Sequence, residues 1–128
     1  MLDHIGLRVT DIARAKTFYD KALAPIGVSM VMEVRVEHTG NFPIYGYGEG
    51  TKPYFWVAQD TIATERLHVA FATDSRAKVD AFYKAAMAAG GKDNGPPGVR
   101  AHYHPNYYGA FVLDHDGHNI EAVCHAPA

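Results

Sequence analysis

The stretch HIGLRVTDIARAKTFYDKALAPIG, residues 4–27, recurs in divergent form as HVAFATDSRAKVDAFYKAAMAAGG, residues 68–91. The two copies are offset by 64 residues, and seven of their 24 aligned positions are identical. The identical pairs include His4 and His68, which open the two copies. A repeat of this length in a 128-residue chain indicates two copies of one supersecondary unit. A cleft between the copies would bring the two histidines together, which suggests a metal site.

Each copy predicts a strand, a helix and then further strands. Residues 2–9 alternate as a strand does, with Leu7 and Val9 on one face and His4 and Arg8 on the other. The apolar stripe of the following helix would cover the face of Leu7 and Val9. The two histidine-bearing faces are therefore left to line a cleft.

The bounds of the other elements follow from capping residues, prolines and glycines. The helices are predicted to run to about residues 24 and 89, and their candidate caps are Thr10 or Asp11 and Asp74 or Ser75. Further strands are predicted at residues 28–36, near Tyr45, and at 54–58, 67–72, 108–114 and 119–125. The segment 92–100 contains Asn-Gly-Pro-Pro-Gly and is predicted to be a mobile loop. A linker is expected at residues 59–65, between a first module (1–60) and a second (66–128).

The composition excludes several classes of function. Hydrophobic residues make up 48% of the chain and charged residues 20%, which is typical of a globular domain. The net charge is −2, and no basic stripe or cluster predicts binding to nucleic acid or to an anionic membrane. No apolar run is long enough to span a bilayer. The eight histidines are compatible with metal binding or with proton transfer.

The expected location is the cytoplasm. The single cysteine, Cys124, cannot form an intrachain disulfide, which favours a reducing compartment. The first residues, Met-Leu-Asp-His, do not resemble the charged start of a signal peptide.

A glutamate in the last predicted strand completes a candidate ligand set. Strand parity places Glu121 on the same side of its sheet as His68. Two imidazoles and one carboxylate on a concave face leave open coordination positions and suit Fe(II), Mn(II) and other divalent metals. The competing interpretation is that each histidine makes ordinary hydrogen bonds and that the glutamate is solvated. The match in parity and the repeat relation of the histidines favour the metal site.

The motifs together resemble the vicinal oxygen chelate superfamily, which includes glyoxalase I, fosfomycin-resistance thiol transferases, bleomycin-resistance proteins and extradiol dioxygenases. The resemblance covers essentially the whole chain. It rests on HIGLRV at residues 4–9, on FY at 18–19, on LHVAF at 67–71 and on FVLDHDGHNIEAV at 111–123. The last segment is similar to the family's DPDGNxIE motif, with His115 where proline is usual. The resemblance implies an α+β fold of paired βαβββ modules.

The resemblance also implies roles for individual residues. The family's metal ligands fall on His4, His68 and Glu121. Glyoxalase I has a fourth carboxylate, which the constant offset of 64 would place at Val57, and residues 53–59 contain none. Because that carboxylate moves the proton in glyoxalase I, true glyoxalase I activity is not expected.

Further candidates lie around the predicted cleft. Arg8 is implied to bind a substrate carboxylate, as in glyoxalase I, or else forms a surface ion pair. Trp56 would line an apolar substrate pocket. By resemblance to extradiol dioxygenases, Tyr108 and either His102 or His104 would be the catalytic acid and base, or would simply pack at the cleft rim.

The resulting hypothesis is a metal-dependent enzyme of the glyoxalase or dioxygenase type, a lyase or an oxygenase. A divalent ion (Fe, Mn, Zn or Ni) would chelate two adjacent oxygens of a small-molecule substrate. Relatives of this size are usually homodimers, with His4 facing His68 and Glu121 across the interface. The alternative is a non-catalytic binding protein of the bleomycin-resistance type, with its ligand in a cleft between Trp56 and Tyr108.

Overall fold

Two four-stranded sheets, each with one long helix, follow one another along the chain. The computed structural model describes residues 1–61 and 65–128. The strands are β1 (Ile5–Val9), β2 (Ser29–Val34), β3 (Ile44–Glu49), β4 (Lys52–Gln59), β5 (His68–Ala72), β6 (Lys92–Val99), β7 (Tyr108–Leu113) and β8 (Asn119–Cys124). The helices are α1 (Ile12–Leu23), α2 (Val36–Thr39) and α3 (Arg76–Ala88), and a 3₁₀ turn spans Ala24–Ile26.

The two sheets have the same topology. The first has the strand order β1-β4-β3-β2 and the second β5-β8-β7-β6. In each, the first strand pairs in parallel with the last strand of its copy, and the remaining pairs are antiparallel. The predicted α+β fold of paired βαβββ units is thereby confirmed.

The long helices form where the sequence predicts them because both have a polar N-cap. The side chain of Asp11 accepts a hydrogen bond from the Arg14 N–H of α1, and Ser75 accepts one from the Lys78 N–H of α3. Each helix buries an apolar stripe against the inner face of its own sheet and against the other helix. Full burial of a large apolar side chain contributes about 1.5–3 kcal/mol. The opposite face of each sheet is left free to form a site.

Polar contacts tie the first copy to the β7–β8 hairpin of the second. The hydroxyl of Tyr19 donates to Asp114 at 2.5 Å, and that of Thr10 donates to Asp116 at 2.6 Å. The ring of His118 is 1% exposed and lies between the copies. Its Nδ1 accepts from the Leu67 N–H at 3.0 Å, and its Nε2 lies 2.7 Å from the carbonyl oxygen of Arg8. This pairing requires the neutral tautomer with hydrogen on Nε2, because Nδ1 must accept.

Several predicted bounds require correction. The segment 92–100 is not a mobile loop, because residues 92–99 form β6, the outer strand of the second sheet. An outer strand tolerates Pro96 and Pro97, since one of its sides has no neighbouring strand to accept an N–H. The first strand begins at Ile5 rather than at residue 2, and the short helix α2 was not predicted. The linker predicted at residues 59–65 lies partly outside the described residues.

No helix within the described ranges has both the length and the apolar character needed to cross a membrane.

Candidate metal centre

The second sheet brings one histidine and one glutamate into direct contact. In the parallel pairing of β5 with β8, His68 is opposite Asn119 and Ala70 is opposite Glu121. The side chains of His68 and Glu121 therefore lie on the same face of the sheet. His68 Nε2 lies 2.7 Å from Glu121 Oε1. The glutamate is 1% exposed, whereas the side chain of His68 is 55% exposed. The predicted shared face is confirmed, and it presents an imidazole and a carboxylate side by side.

Tyr107, which was not among the predicted site residues, contacts the same carboxylate. Its hydroxyl donates a short hydrogen bond to Glu121 Oε2. The ring fits because residue 109 is glycine: a Cβ there would lie 3.1 Å from Tyr107 Cε1 and 3.3 Å from Glu121 Oε2. Burial, followed by the interaction with Glu121, raises the pKa of Tyr107 well above its ordinary value. Tyr107 therefore stays protonated and keeps donating at neutral pH.

We call this side of the second sheet the second cleft face; it carries His68, Tyr107, Phe111, Asn119 and Glu121. It opens into a cleft of about 430 Å³ that is lined by Phe111 and Asn119 together with His68. Within the described part of the chain, Asn119 Oδ1 is buried and has no hydrogen-bond partner. A buried acceptor without a donor costs free energy, so this atom is available to a bound ligand.

The first cleft face, which is the corresponding side of the first sheet, carries His4, Gly6, Arg8 and Trp56. His4 lies just before β1 and its Nδ1 is 2.7 Å from Asp3 Oδ2. The hydrogen bond from His4, followed by the contacts with Lys52, lowers the pKa of the Asp3 carboxyl. A carboxylate on Nδ1 fixes the ring of a histidine and leaves Nε2 for a metal, which is a common arrangement in metal sites.

Trp56, not Val57, occupies the position that corresponds to Glu121. Gly6 pairs with Trp56 in the first sheet, whereas its repeat equivalent Ala70 pairs with Glu121 in the second. The expected equivalence with Val57 is wrong by one position, because the second copy is one residue longer between these strands. Val57 is 1% exposed and belongs to the core. The position equivalent to Glu121, where the resemblance to glyoxalase I implies a fourth carboxylate, is thus filled by an indole.

The two cleft faces line separate clefts of the chain. His4 lines a cleft of about 420 Å³ with Arg8 and Trp56, whereas His68 lines the separate cleft of the second sheet. Over residues 1–61 and 65–128, no group of three or more histidine, cysteine, aspartate or glutamate side chains is placed to hold a metal ion. One chain supplies the pair His68 and Glu121, and His4 lies apart from it.

The predicted acid–base residues are dispersed. Tyr108 lies on the helix-facing side of β7, where its hydroxyl donates to Asp80 of α3 at 2.6 Å, so it does not share a cleft with Trp56. This hydrogen bond, followed by burial, raises the pKa of Tyr108. His102 lines the cleft of the second sheet beside Tyr103. His104 accepts from the Asn106 N–H at 3.1 Å and packs near His125, with ring centroids 5.7 Å apart.

Arg8 forms the predicted surface ion pair. Its side chain is 67% exposed, and its Nη1 lies 3.7 Å from Asp60 Oδ2, which makes the ion pair weak. The same side chain lines the cleft beside His4.

Known proteins share this architecture along the full chain. A glyoxalase/bleomycin resistance protein from Albidiferax ferrireducens T118 is 27% identical, with a TM-score of 0.76 and 98% of each chain covered. The V278E mutant of glyoxalase I from Zea mays is 26% identical, with a TM-score of 0.71; the match covers 95% of this chain and 45% of the maize chain. A family enzyme from Burkholderia phytofirmans PsJN, at 16% identity and a TM-score of 0.69, shows the fold alone.

No match was found among curated protein sequences. The sequence profile of the Glyoxalase/Bleomycin resistance protein/Dioxygenase superfamily matches residues 1–122. The protein therefore belongs to the Glyoxalase/Bleomycin resistance protein/Dioxygenase superfamily.

Proposed function

We propose that this protein is a homodimeric, metal-dependent enzyme of the glyoxalase or dioxygenase type that acts on a small substrate with two adjacent oxygens. The observation that carries the proposal is the contact between His68 and Glu121, on a face where a buried carboxylate has a neutral tyrosine as its other partner. A carboxylate that is 1% exposed needs positive charge to compensate its burial, and a divalent cation provides it.

The donor set fits such an ion. His68 and Glu121 supply one nitrogen and one oxygen ligand from the second cleft face, and His4 supplies a second imidazole from the first. Two histidines and one carboxylate are the ligands that Fe(II) and related divalent ions accept while keeping positions open. Because His4 lies apart from the other two in the chain, we propose that each site combines His4 of one copy with His68 and Glu121 of another, as a twofold dimer would allow.

The metal, when bound, would act as a Lewis acid that holds and polarises the two substrate oxygens. The protein's own residues have simpler tasks. Tyr107 holds Oε2 of Glu121 and keeps the carboxylate in place. Asp3 orients the His4 ring through Nδ1. Arg8, whose surface ion pair is long, would bind an anionic part of the substrate.

The reaction is not expected to be that of glyoxalase I. Proton transfer between adjacent carbons needs a base beside the substrate, and the first cleft face carries Trp56 where glyoxalase I has its fourth carboxylate. Candidate acids and bases on the other face are Tyr107 and His102; Tyr108 and His104, which the resemblance favoured, are turned elsewhere.

A second function remains a candidate because of the apolar character of the first cleft. Trp56, Ile44 and Val34 line much of its surface, which suits a hydrophobic ligand held without any chemistry. In that case the protein would sequester a small molecule, as bleomycin-resistance proteins do. The adjacent pair His68 and Glu121 disfavours this alternative, since such a cleft has no need of it.

The decisive experiment is elemental analysis of the purified protein and of three variants. We expect bound divalent metal in the natural protein and its loss in His4→Ala, His68→Ala and Glu121→Ala. His102→Ala, which alters the same cleft without removing a proposed ligand, is the matched control. Undiminished metal in both His68→Ala and Glu121→Ala would refute the site.

Mixing two inactive variants tests whether the site is shared between copies. In a hybrid of His4→Ala with Glu121→Ala, one of the two sites regains all three ligands and the other has lost two. Random reassembly should restore about a quarter of the metal content and of any metal-dependent turnover. A site built within one chain would stay empty after mixing.

Turnover of catechols or of fosfomycin that EDTA abolishes and a divalent metal restores would exclude pure sequestration.

A further inference from the structure

The two cleft faces place aromatic bulk on different strands. Gly46 pairs with Trp56 in the first sheet, and the corresponding pair in the second sheet is Phe111 with Glu121. The strand that carries the carboxylate in one copy therefore carries an indole in the other. On the neighbouring strand the difference is reversed: the first copy has Gly46 where the second has Phe111.

Gly46 is required by the way in which the indole lies. A Cβ at residue 46 would be 2.8 Å from both Cη2 and Cζ3 of Trp56 and 2.9 Å from Pro53 Cβ, so the six-membered ring covers this glycine. A Cβ at residue 6, on the other side, would meet only the Cβ and the carbonyl oxygen of Trp56 within 4 Å, each at 3.9 Å. The side chain therefore leans over β3 and leaves the space above Gly6 open, between His4 and Arg8.

Core packing does not explain the tryptophan. Its neighbours Phe55 and Val57 are 0% and 1% exposed and belong to the hydrophobic core. Trp56 is neither in that core nor among the partly buried residues packed against it. It lines the cleft with the proposed ligand His4 and with the cation Arg8. A large aromatic surface thus lies beside His4, the proposed metal ligand. Exposure of this surface to water is unfavourable unless a bound small molecule covers it.

We propose that Trp56 is a stacking platform that makes the site selective for substrates in which a flat, unsaturated ring is attached to the two chelating oxygens. The inference rests on the proposed metal function, since His4 fixes where the oxygens lie. The ring would pack against the free face of the indole, and Arg8 would bind an anionic substituent. Offset stacking of aromatic rings contributes about two- to tenfold in affinity beyond the area that is buried.

A matched pair of chelating acids tests the proposal. Mandelate and its saturated analogue hexahydromandelate carry the same α-hydroxycarboxylate, but one has a flat ring and the other a puckered ring. Trp56 is the single tryptophan of the chain, so its fluorescence reports directly on this position. In the metal-loaded dimer we expect mandelate to quench this fluorescence and to bind about two- to tenfold more tightly than hexahydromandelate. Equal affinities would overturn the proposal.

Variants identify the source of the preference, with affinities measured by calorimetry because substitution removes the fluorophore. Trp56→Leu should bind both acids equally, Trp56→Phe should keep part of the preference, and Phe42→Leu, a control at an exposed aromatic outside the cleft, should keep all of it. A preference that survives in Trp56→Leu would also overturn the proposal.

The metal is tested separately by repeating the titrations in EDTA. Affinities that do not change with EDTA would refute the proposed metal function, while the ratio between the two acids would still decide the role of Trp56.

Discussion

The two cleft faces come from copies of one unit, yet one is built around a charge and the other around an aromatic ring. On the second face a carboxylate that is 1% exposed contacts His68 at 2.7 Å and is held by Tyr107. On the first face the equivalent position is Trp56, and the exposed Arg8 lines the same cleft. The two copies thus share the backbone topology and one histidine each, while the position opposite Gly6 or Ala70 carries an indole on the first face and a carboxylate on the second.

His118 links the two copies that carry the cleft faces, and its substitution is expected to have the largest effect. His118→Ala removes two buried hydrogen bonds, to Leu67 and to Arg8, and leaves a cavity. We expect the free energy of unfolding to fall by about 3 kcal/mol, measured by urea denaturation. His115→Ala, at the exposed neighbour in the same hairpin, should cost less than about 1 kcal/mol. Equal losses of unfolding free energy in the two variants would show that the hydrogen bonds of His118 contribute no stability.

Substitution of Glu121 and of Trp56, the equivalent residues of the two faces, tests whether metal binding depends on the carboxylate and not on the indole. Glu121→Gln keeps the shape of the side chain but removes its charge, so we expect no stabilisation by a divalent metal. The natural protein at a hundredfold excess of metal over Kd should gain about 2.7 kcal/mol, on the order of 10 °C in Tm. Trp56→Gln, at the equivalent position of the other face, should keep this gain in a thermal melt. Full metal stabilisation of Glu121→Gln would contradict the comparison.

Two glycines make room for the two different side chains, and methyl groups there should have different consequences. In Gly109→Ala the new Cβ would meet Tyr107 and Glu121 at 3.1–3.3 Å, whereas in Gly46→Ala it would meet the Trp56 ring at 2.8 Å. Both should cost about 1–3 kcal/mol in unfolding free energy. Only Gly109→Ala should weaken metal binding, and only Gly46→Ala should shift the tryptophan emission. If both variants weakened metal binding and shifted the tryptophan emission to the same extent, the proposed difference between the two faces would be wrong.

The smallest effect is expected for Tyr107→Phe, which removes one hydrogen bond from Glu121 and should cost about 1 kcal/mol near neutral pH. Burial and Glu121 raise the pKa of Tyr107 in the folded state, so its contribution is present below pH 10, the ordinary value, and is lost as the pH rises above it. Urea unfolding of both proteins from pH 8 to 11 should therefore show a narrowing difference. Tyr103→Phe, at a residue that is 61% exposed, is the control. A difference that widens with pH would contradict this account.

Local patterns were sufficient to predict the two long helices, their caps and the face that Glu121 shares with His68. These features depend on neighbours along the chain or on strict alternation, both of which are visible in a sequence. The same alternation separated Phe55, which is buried, from Trp56, which lines the cleft. The metal-binding role itself stays a prediction.

Features that depend on distant parts of the chain could not be predicted in this way. The prolines of β6 are tolerated only because this strand is the outer one of its sheet, and strand order is not encoded locally. The equivalence of Val57 with Glu121 failed because a single additional residue shifts the register of the second copy. Tyr107 was missed in favour of Tyr108 because only the space above Gly109 shows which of two adjacent tyrosines turns toward the cleft.

The consecutive prolines at positions 96 and 97 also affect how copies of the chain can associate. An exposed sheet edge is a template for another strand, and this is how many β proteins aggregate. Proline has no N–H to donate, and the pairing of β6 with its neighbour is irregular on both sides of Gly95. A foreign strand therefore cannot extend this edge in continuous register. Open-ended growth of the second sheet at this edge is thereby disfavoured.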